Sequence, residues 1–254
     1  MFSSLHSSGG LMIRKSVLIT GASRGIGRCC AITFAKAGYD VFINCSKSIG
    51  ELSDVYNEIL QLGGQAEIVV GDVGNPDHVR KIFMAIHRSS PGIDILINNA
   101  GHSFIGLLSE MSNDEWNTVL STNLSSVFYC SRAAIPFMIS QQKGKIINIS
   151  SMWGRVGASC ESAYSAAKAG VNGLTMALAK ELAPSNIQVN AIACGVIDTF
   201  MNDTLSSDVK ESLKQEIPAC RFGTPEEVAT LVYDLATNHP YLTGQVIGLD
   251  GGFI

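Results

Sequence analysis

Residues 16–38 read SVLITGASRGIGRCCAITFAKAG, a short β-branched run, then Gly21, Gly25 and Gly27 within seven positions, then a stretch of helical periodicity. A strand that turns directly into a helix through glycines is the context a dinucleotide-binding loop requires. Glycine permits the tight turn and lets the backbone approach a pyrophosphate, whose charge then sits at the helix N-terminus. A strand-to-helix turn also takes glycine for steric reasons alone, so the rest of the chain has to decide between the two.

The same rhythm recurs along the sequence. Apolar runs at 40–45, 65–70, 93–98, 144–150, 187–193 and 245–250 alternate with helical patterns, among them 25–38, 50–63, 76–89, 112–140 and 161–183. The runs are apolar throughout rather than at every second residue, as strands covered on both faces of a parallel sheet should be. They predict an α/β fold, a doubly wound parallel sheet of the Rossmann type, in one domain spanning 16–254. The Ser/Gly-rich leader 1–15 is expected to be flexible, with Met12 an alternative start, and it lacks the apolar core of a secretory signal. The long irregular stretch 195–223 is expected to cover a site as a substrate lid.

Composition removes several classes of function. A formal net charge of -4 with no basic stripe argues against nucleic acid and anionic membrane surfaces as partners. No apolar run approaches the roughly 18 residues that span a bilayer. The seven cysteines include no CxxC pair and no Cys/His cluster of zinc spacing, so no metal site is expected and the thiols read as reduced, in a cytoplasmic protein.

Ligands of such sheets bind beyond the carboxyl ends of the strands, and polar signals fall there. Asp72, before Val73, follows the third run, and NNAG (98–101) follows the fourth. Each is a turn or cap on its own; their placement on one edge favours a ligand. In CESAYSAAKAG (160–170), Tyr164 and Lys168 lie four apart, neighbours on one helix face among small residues. Either the small residues let another helix approach and the polar pair looks outward, or the pair is a proton donor with its tuning cation.

Taken together, TGASRGIG, NNAG, Asn123 in STNLSSVF, Ser151 in NISSMWG, YSAAK and the closing YLTGQVIGLDGG resemble the short-chain dehydrogenase/reductase family over nearly the whole chain. Within it the sequence is most similar to bacterial 3-oxoacyl-acyl-carrier-protein reductases. The resemblance implies a catalytic set of Asn123, Ser151, Tyr164 and Lys168: Tyr164 donates a proton to a ketone oxygen, Ser151 hydrogen-bonds that oxygen, Lys168 lowers the phenol's pKa, and Asn123 supports a water relay to the lysine. It implies cofactor contacts from Gly21, Ser23, Arg24, Gly25, Ile26 and Gly27, from Ser46 and Lys47, from Asp72 and Val73, from Asn98, Ala100 and Gly101, from Tyr164 and Lys168, and from Gly195, Ile197 and Thr199. The second strand ends INCSKS, with no acid to bind a ribose 2'-hydroxyl, which favours NADPH/NADP over NAD. The family's assembly implies a homotetramer.

Departures from the family's pattern bear on the substrate. Cys194 stands where proline usually precedes the glycine of the CGVIDT segment, as a small buried filler or a thiol near the cofactor. An acidic carrier protein calls for a basic dock, yet SQQKG (140–144) and APSNI (183–187) share a single lysine. The stretch SSMWGRVGASCESAYS is also similar to elongation factor P 5-aminopentanone reductases, in which Glu161 would meet a substrate ammonium; otherwise it serves the helix dipole. Trp153 walls the pocket or packs under the lid. A ketone substrate, possibly carried on a protein or acyl carrier, is therefore expected, and a non-catalytic NADP(H)-binding sensor is the alternative from another class.

Overall fold

The structure is a computed structural model that describes residues 14–200 and 206–254. Residues 1–13 of the expected flexible leader 1–15, and residues 201–205 of the expected lid 195–223, lie outside the described residues. Seven parallel strands form one sheet in the order β3-β2-β1-β4-β5-β6-β7. They are β1 (Ser16–Ile19), β2 (Asp40–Cys45), β3 (Gln65–Val70), β4 (Ile95–Asn98), β5 (Gly144–Ser151), β6 (Ile187–Cys194) and β7 (Val246–Leu249). Strand order reverses between β1 and β4, which opens the crevice where ligands bind in such sheets.

The uniform apolarity of the runs has a direct cause. Successive residues of a strand point to opposite faces, and here both faces are covered. Val17 and Ile19 enter one core with Phe34, Leu52 and Val232, whereas Leu18 enters the other with Ile82, Leu96 and Met138. The first face carries α1 (Gly25–Lys36), α2 (Ile49–Gln61) and a helix at Pro225–Thr237; the second carries α3 (Pro76–Ser89) and the long helices after β4 and β5.

Three helical features differ from the sequence reading. The predicted helix 112–140 is broken into α4 (Asn113–Leu120), a π turn at Ser121–Ser125 and α5 (Ser126–Ser140). After α6 (Trp153–Val156) and α7 (Ser162–Leu182), the stretch read as irregular contains α8 (Ser207–Glu216), started by the Ser206 hydroxyl accepting from the Val209 amide. Finally α9 (Pro225–Thr237) begins with a capping box, Thr224 and Glu227 satisfying each other's backbone amides, and with proline in its first turn. The TPEE signature for that start is present in the sequence.

Polar groups inside the sheet are tied in a chain. The Asn98 amide donates to Asn148 Oδ1 at 2.9 Å, and the Asn148 amide donates to Thr175 Oγ1 on α7 at 2.9 Å. Among the described residues no buried side-chain polar atom lacks a partner. Asn148→Leu leaves the Asn98 donor and the Thr175 hydroxyl short of a partner, so it should cost about 2–4 kcal/mol, measured as a lowered midpoint in urea; an unchanged midpoint would show that the chain contributes nothing.

Candidate functional site

The first βα turn is shaped by atoms that reach it from β4. Gly21 and Gly25 adopt left-handed backbone, with φ of +64° and +54°. A Cβ on Gly27 would lie 2.2 Å from the Gly21 carbonyl oxygen and 2.6 Å from Asn99 Nδ2. That amide donates to the carbonyls of Thr20 and Gly21, each at 3.0 Å, while Thr20 Oγ1 accepts from the amides of Asn99 at 2.9 Å and Ala100 at 3.0 Å. Thr20 and Asn99 thus hold the crevice together, and the sequence reading named neither; the signal was the second asparagine of NNAG. The reading named Asn98, whose buried side chain turns instead to Asn148 and Ser131.

Helix α1 has no side-chain cap and no acid in its first turn, unlike α3, α4 and α9. Its uncapped first-turn amides, with Gly21, Gly25 and Gly27 carrying no side chain over them, fit the pyrophosphate of a dinucleotide. Other expected contacts gather here. Ala22 N donates to Asn44 O at 2.8 Å, which sets the turn beside the end of β2 and exposed Ser46 and Lys47. Thr199 Cγ2 lies 3.4 Å from the position a Gly25 Cβ would take, so Thr199 comes back over the loop, while Gly195 sits against Asp250 and Ile197 against Gly223. Ser23 and Arg24 line the same side, and Ile26 packs partly into the core. Asp72 is exposed and accepts from the Gly74 amide at 2.9 Å, an Asx turn, while Val73 beside it is buried.

At the far end of the crevice, β5, α7 and the π turn meet. Ser151 closes β5, and its Oγ accepts from the Trp153 amide at 3.1 Å. Lys168 is buried, donates from Nζ to the Ile149 carbonyl at 2.8 Å, and places Nζ 5.5 Å from the centroid of the Tyr164 ring. The π turn directs Asn123 inward: its Nδ2 donates to His102 O at 2.6 Å and Val119 O at 2.9 Å, and its Oδ1 accepts from His102 N at 3.2 Å. A Cβ on Gly101 would lie 3.1 Å from Asn123 Oδ1 and 3.9 Å from Lys168 Nζ, so these groups share one small space. π turns of this kind are frequent at functional sites.

Electrostatics correct one expectation. Lys168 was expected to bring the Tyr164 phenol down, but burial dominates and pushes it up, with Cys194 and Glu161 adding to the rise and a hydrogen bond to Ser151 opposing it. The phenol therefore keeps its proton at neutral pH, the state a donor needs. Burial lowers Lys168 to about 8, with Cys194 opposing, and burial pushes the Cys194 thiol up to about 12, against the pull of Lys168. A thiol so placed is a protonated filler rather than a nucleophile.

A family model described as short chain dehydrogenase matches residues 15–210. The chain belongs to the short-chain dehydrogenase family. It is an oxidoreductase acting on CH–OH/C=O groups. It is 41% identical over 243 residues to a 3-oxoacyl-[acyl-carrier-protein] reductase of Staphylococcus aureus (strain Mu50), covering 95% of this chain and 99% of that one. It is 41% identical over 239 residues to a 3-oxoacyl-[acyl-carrier-protein] reductase of Synechocystis sp., covering 93% and 96%. Among solved structures, a crystal structure from Agrobacterium tumefaciens, assigned provisionally as a gluconate dehydrogenase, matches with a TM-score of 0.90 and 35% identity over 94% of this chain and 95% of that one.

The rim of this dehydrogenase's site is tied across the crevice. Gly106 N donates to Cys160 O at 2.8 Å, and Ser103 Oγ donates to Glu161 Oε2 at 2.8 Å, joining the loop after β4 to the start of α7. Trp153 packs edge-on against Phe253, 5.9 Å between ring centroids, so the C-terminal segment backs the turn that follows Ser151.

The Lys168 value has a thermodynamic sign. Between pH about 8 and 10.5 the folded lysine has lost its proton while the unfolded one keeps it, so the unfolded state binds more protons and stability rises with pH. Relative to Lys168→Met, the native chain should gain up to about 3 kcal/mol across that window. Parallel urea titrations at a series of pH values measure this; a constant difference would mean Lys168 is not desolvated.

Proposed function

We propose that the chain is an NADPH-dependent ketoreductase of the 3-oxoacyl-[acyl-carrier-protein] type. The observation that carries this is the convergence of a protonated Tyr164, buried Lys168 and Ser151 at the end of a crevice whose glycine turn suits a dinucleotide. The names of the Staphylococcus aureus and Synechocystis relatives supply the substrate class.

A bound nicotinamide would supply the hydride for the ketone carbon. The turn Gly21–Gly27 and the α1 amides would hold its pyrophosphate, Ala100 and Gly101 would flank it, Lys168 would hold the nicotinamide ribose, and Arg24, Ser46 and Lys47 would receive a 2'-phosphate. Tyr164 donates its proton to the ketone oxygen, and Ser151 hydrogen-bonds that oxygen as negative charge develops on it. The ammonium of Lys168 steadies the phenolate left behind. Asn123, fixed by His102 and Val119, stands beside Lys168 and supports its reprotonation. Segment 195–223, with α8, serves as the lid.

Exposed Phe128 and Ile139 on α5 and Met176 on α7 suit the helix faces of a homotetramer. With a formal net charge of -4 and with its cysteines unpaired, the protein would work in the cytoplasm.

A second reading keeps the chemistry and changes the substrate to the aminopentanone group of a modified elongation factor P. Glu161 favours it: the carboxylate adds to the field on Tyr164, and among the described residues it has no cation partner, only the Ser103 hydroxyl.

NADPH oxidation with a short 3-oxoacyl thioester tests the proposal. Tyr164→Phe should lower turnover by about 10²–10⁴-fold with NADPH binding retained. The native rate should fall above pH about 8, because Lys168 loses its charge as pH rises. Turnover unaffected by Tyr164→Phe would contradict the mechanism, and turnover only with an aminopentanone substrate would select the second reading.

A further inference from the structure

Beside the glycine turn lies a cavity of about 360 Å³ between α1, α2 and the residues after β6, and Arg24 is its central cation. Arg24 Nη1 lies 3.2 and 3.4 Å from the two carboxylate oxygens of Glu51, and the Phe200 ring covers the guanidinium face with its centroid 4.2 Å away. Arg28, which also lines the cavity, is paired with Glu58, and Asp54 adds a second carboxylate to the wall. The positive charge of Arg24 is thus already opposed before any ligand arrives.

We propose that Glu51 is a specificity-determining residue for the adenosine end of the cofactor: it holds the anion position on Arg24 and so weakens the chain's grip on a 2'-phosphate relative to a 2'-hydroxyl. This rests on the cofactor reading above. Glu51 stands in the first turn of α2, where the helix dipole favours a carboxylate, so it is held in place independently of Arg24. The pair is about half exposed and therefore weak, and a phosphate bearing nearly two charges can compete for the guanidinium. Competition leaves two anions on one cation. Glu51 then moderates the preference for NADP without reversing it. Phe200 limits the escape of Arg24 by covering one face of its plane, which leaves the guanidinium edges for anions.

Glu51→Gln keeps the size of the side chain and its capacity to accept from Arg24 while removing the charge. The test titrates the purified full-length chain, native and Glu51→Gln, with NADP and separately with NAD, following binding by calorimetry at low and high salt. The ratio of the NAD to the NADP dissociation constant should rise about three- to tenfold in the variant at low salt, and the rise should shrink at high salt as screening takes over. An unchanged ratio, with both constants moving together or not at all, would overturn the proposal. So would weaker NADP binding in the variant, since Glu51 would then be a positioning partner that Arg24 needs. The native chain's own preference reports separately on the cofactor reading: tighter NAD than NADP binding would sink that reading, while the shift between native and variant still decides the role of Glu51.

Discussion

The site depends on one close approach, the meeting of the ends of β1 and β4 through Thr20 and Asn99. These strands are adjacent in the sheet though nearly 80 residues apart in sequence, and side-chain bonds to backbone groups join them where strand order reverses. The Gly21 carbonyl and the Asn99 amide together occupy the space a side chain at position 27 would need, so the glycine turn and the β4 loop pack directly on each other. From Asn99 the chain continues through Gly101 to His102, whose amide donates to Asn123 Oδ1 at 3.2 Å, and Gly101 faces both Asn123 and Lys168. The glycine-turn end and the Tyr164 end of the crevice are therefore parts of one packed structure.

Burial and charge then oppose each other at the chemical end. An ammonium and a phenol are both removed from water, which raises one pKa and lowers the other, and the Ile149 carbonyl offsets part of the lysine's loss of hydration. The outcome is a neutral phenol beside an ammonium close to its own titration point. Cys194, in place of the family's usual proline, adjoins both groups without taking part, since burial keeps its thiol protonated.

Much of this was legible in the sequence because the signals were local or periodic. The strand runs were read within a residue or two, since covering on both faces makes them uniformly apolar, and the glycine spacing marked the turn after β1. Tyr164, Lys168 and Ser151 were found by spacing together with family resemblance. What escaped reading has physical reasons. The π turn at 121–125 left no legible mark because α4 before it buries only Val119, too few apolar positions to define the phase that one inserted residue then rotates. Helix α8 has the composition SDVKESLKQE and no buried residue, so it carries no core stripe to read. Asn98 and Asn99 are chemically identical, and only the alternation of β4 decides which one faces the core and which the crevice. The direction of the Tyr164 shift was misread because sequence spacing shows the neighbouring ammonium but not the depth of burial.

On the proposed mechanism, a nicotinamide bound in the crevice between β1 and β4 would supply hydride to a ketone whose oxygen is protonated beside Lys168. The most direct test of that mechanism is incubation of the full-length chain with a 3-oxoacyl thioester and NADPH carrying deuterium at the transferable C4 position, followed by mass analysis of the product. The account predicts a hydroxyacyl product one mass unit heavier, labelled at the former carbonyl carbon. An alcohol without label would contradict it, as would NADPH that binds but is never oxidised by any ketone offered.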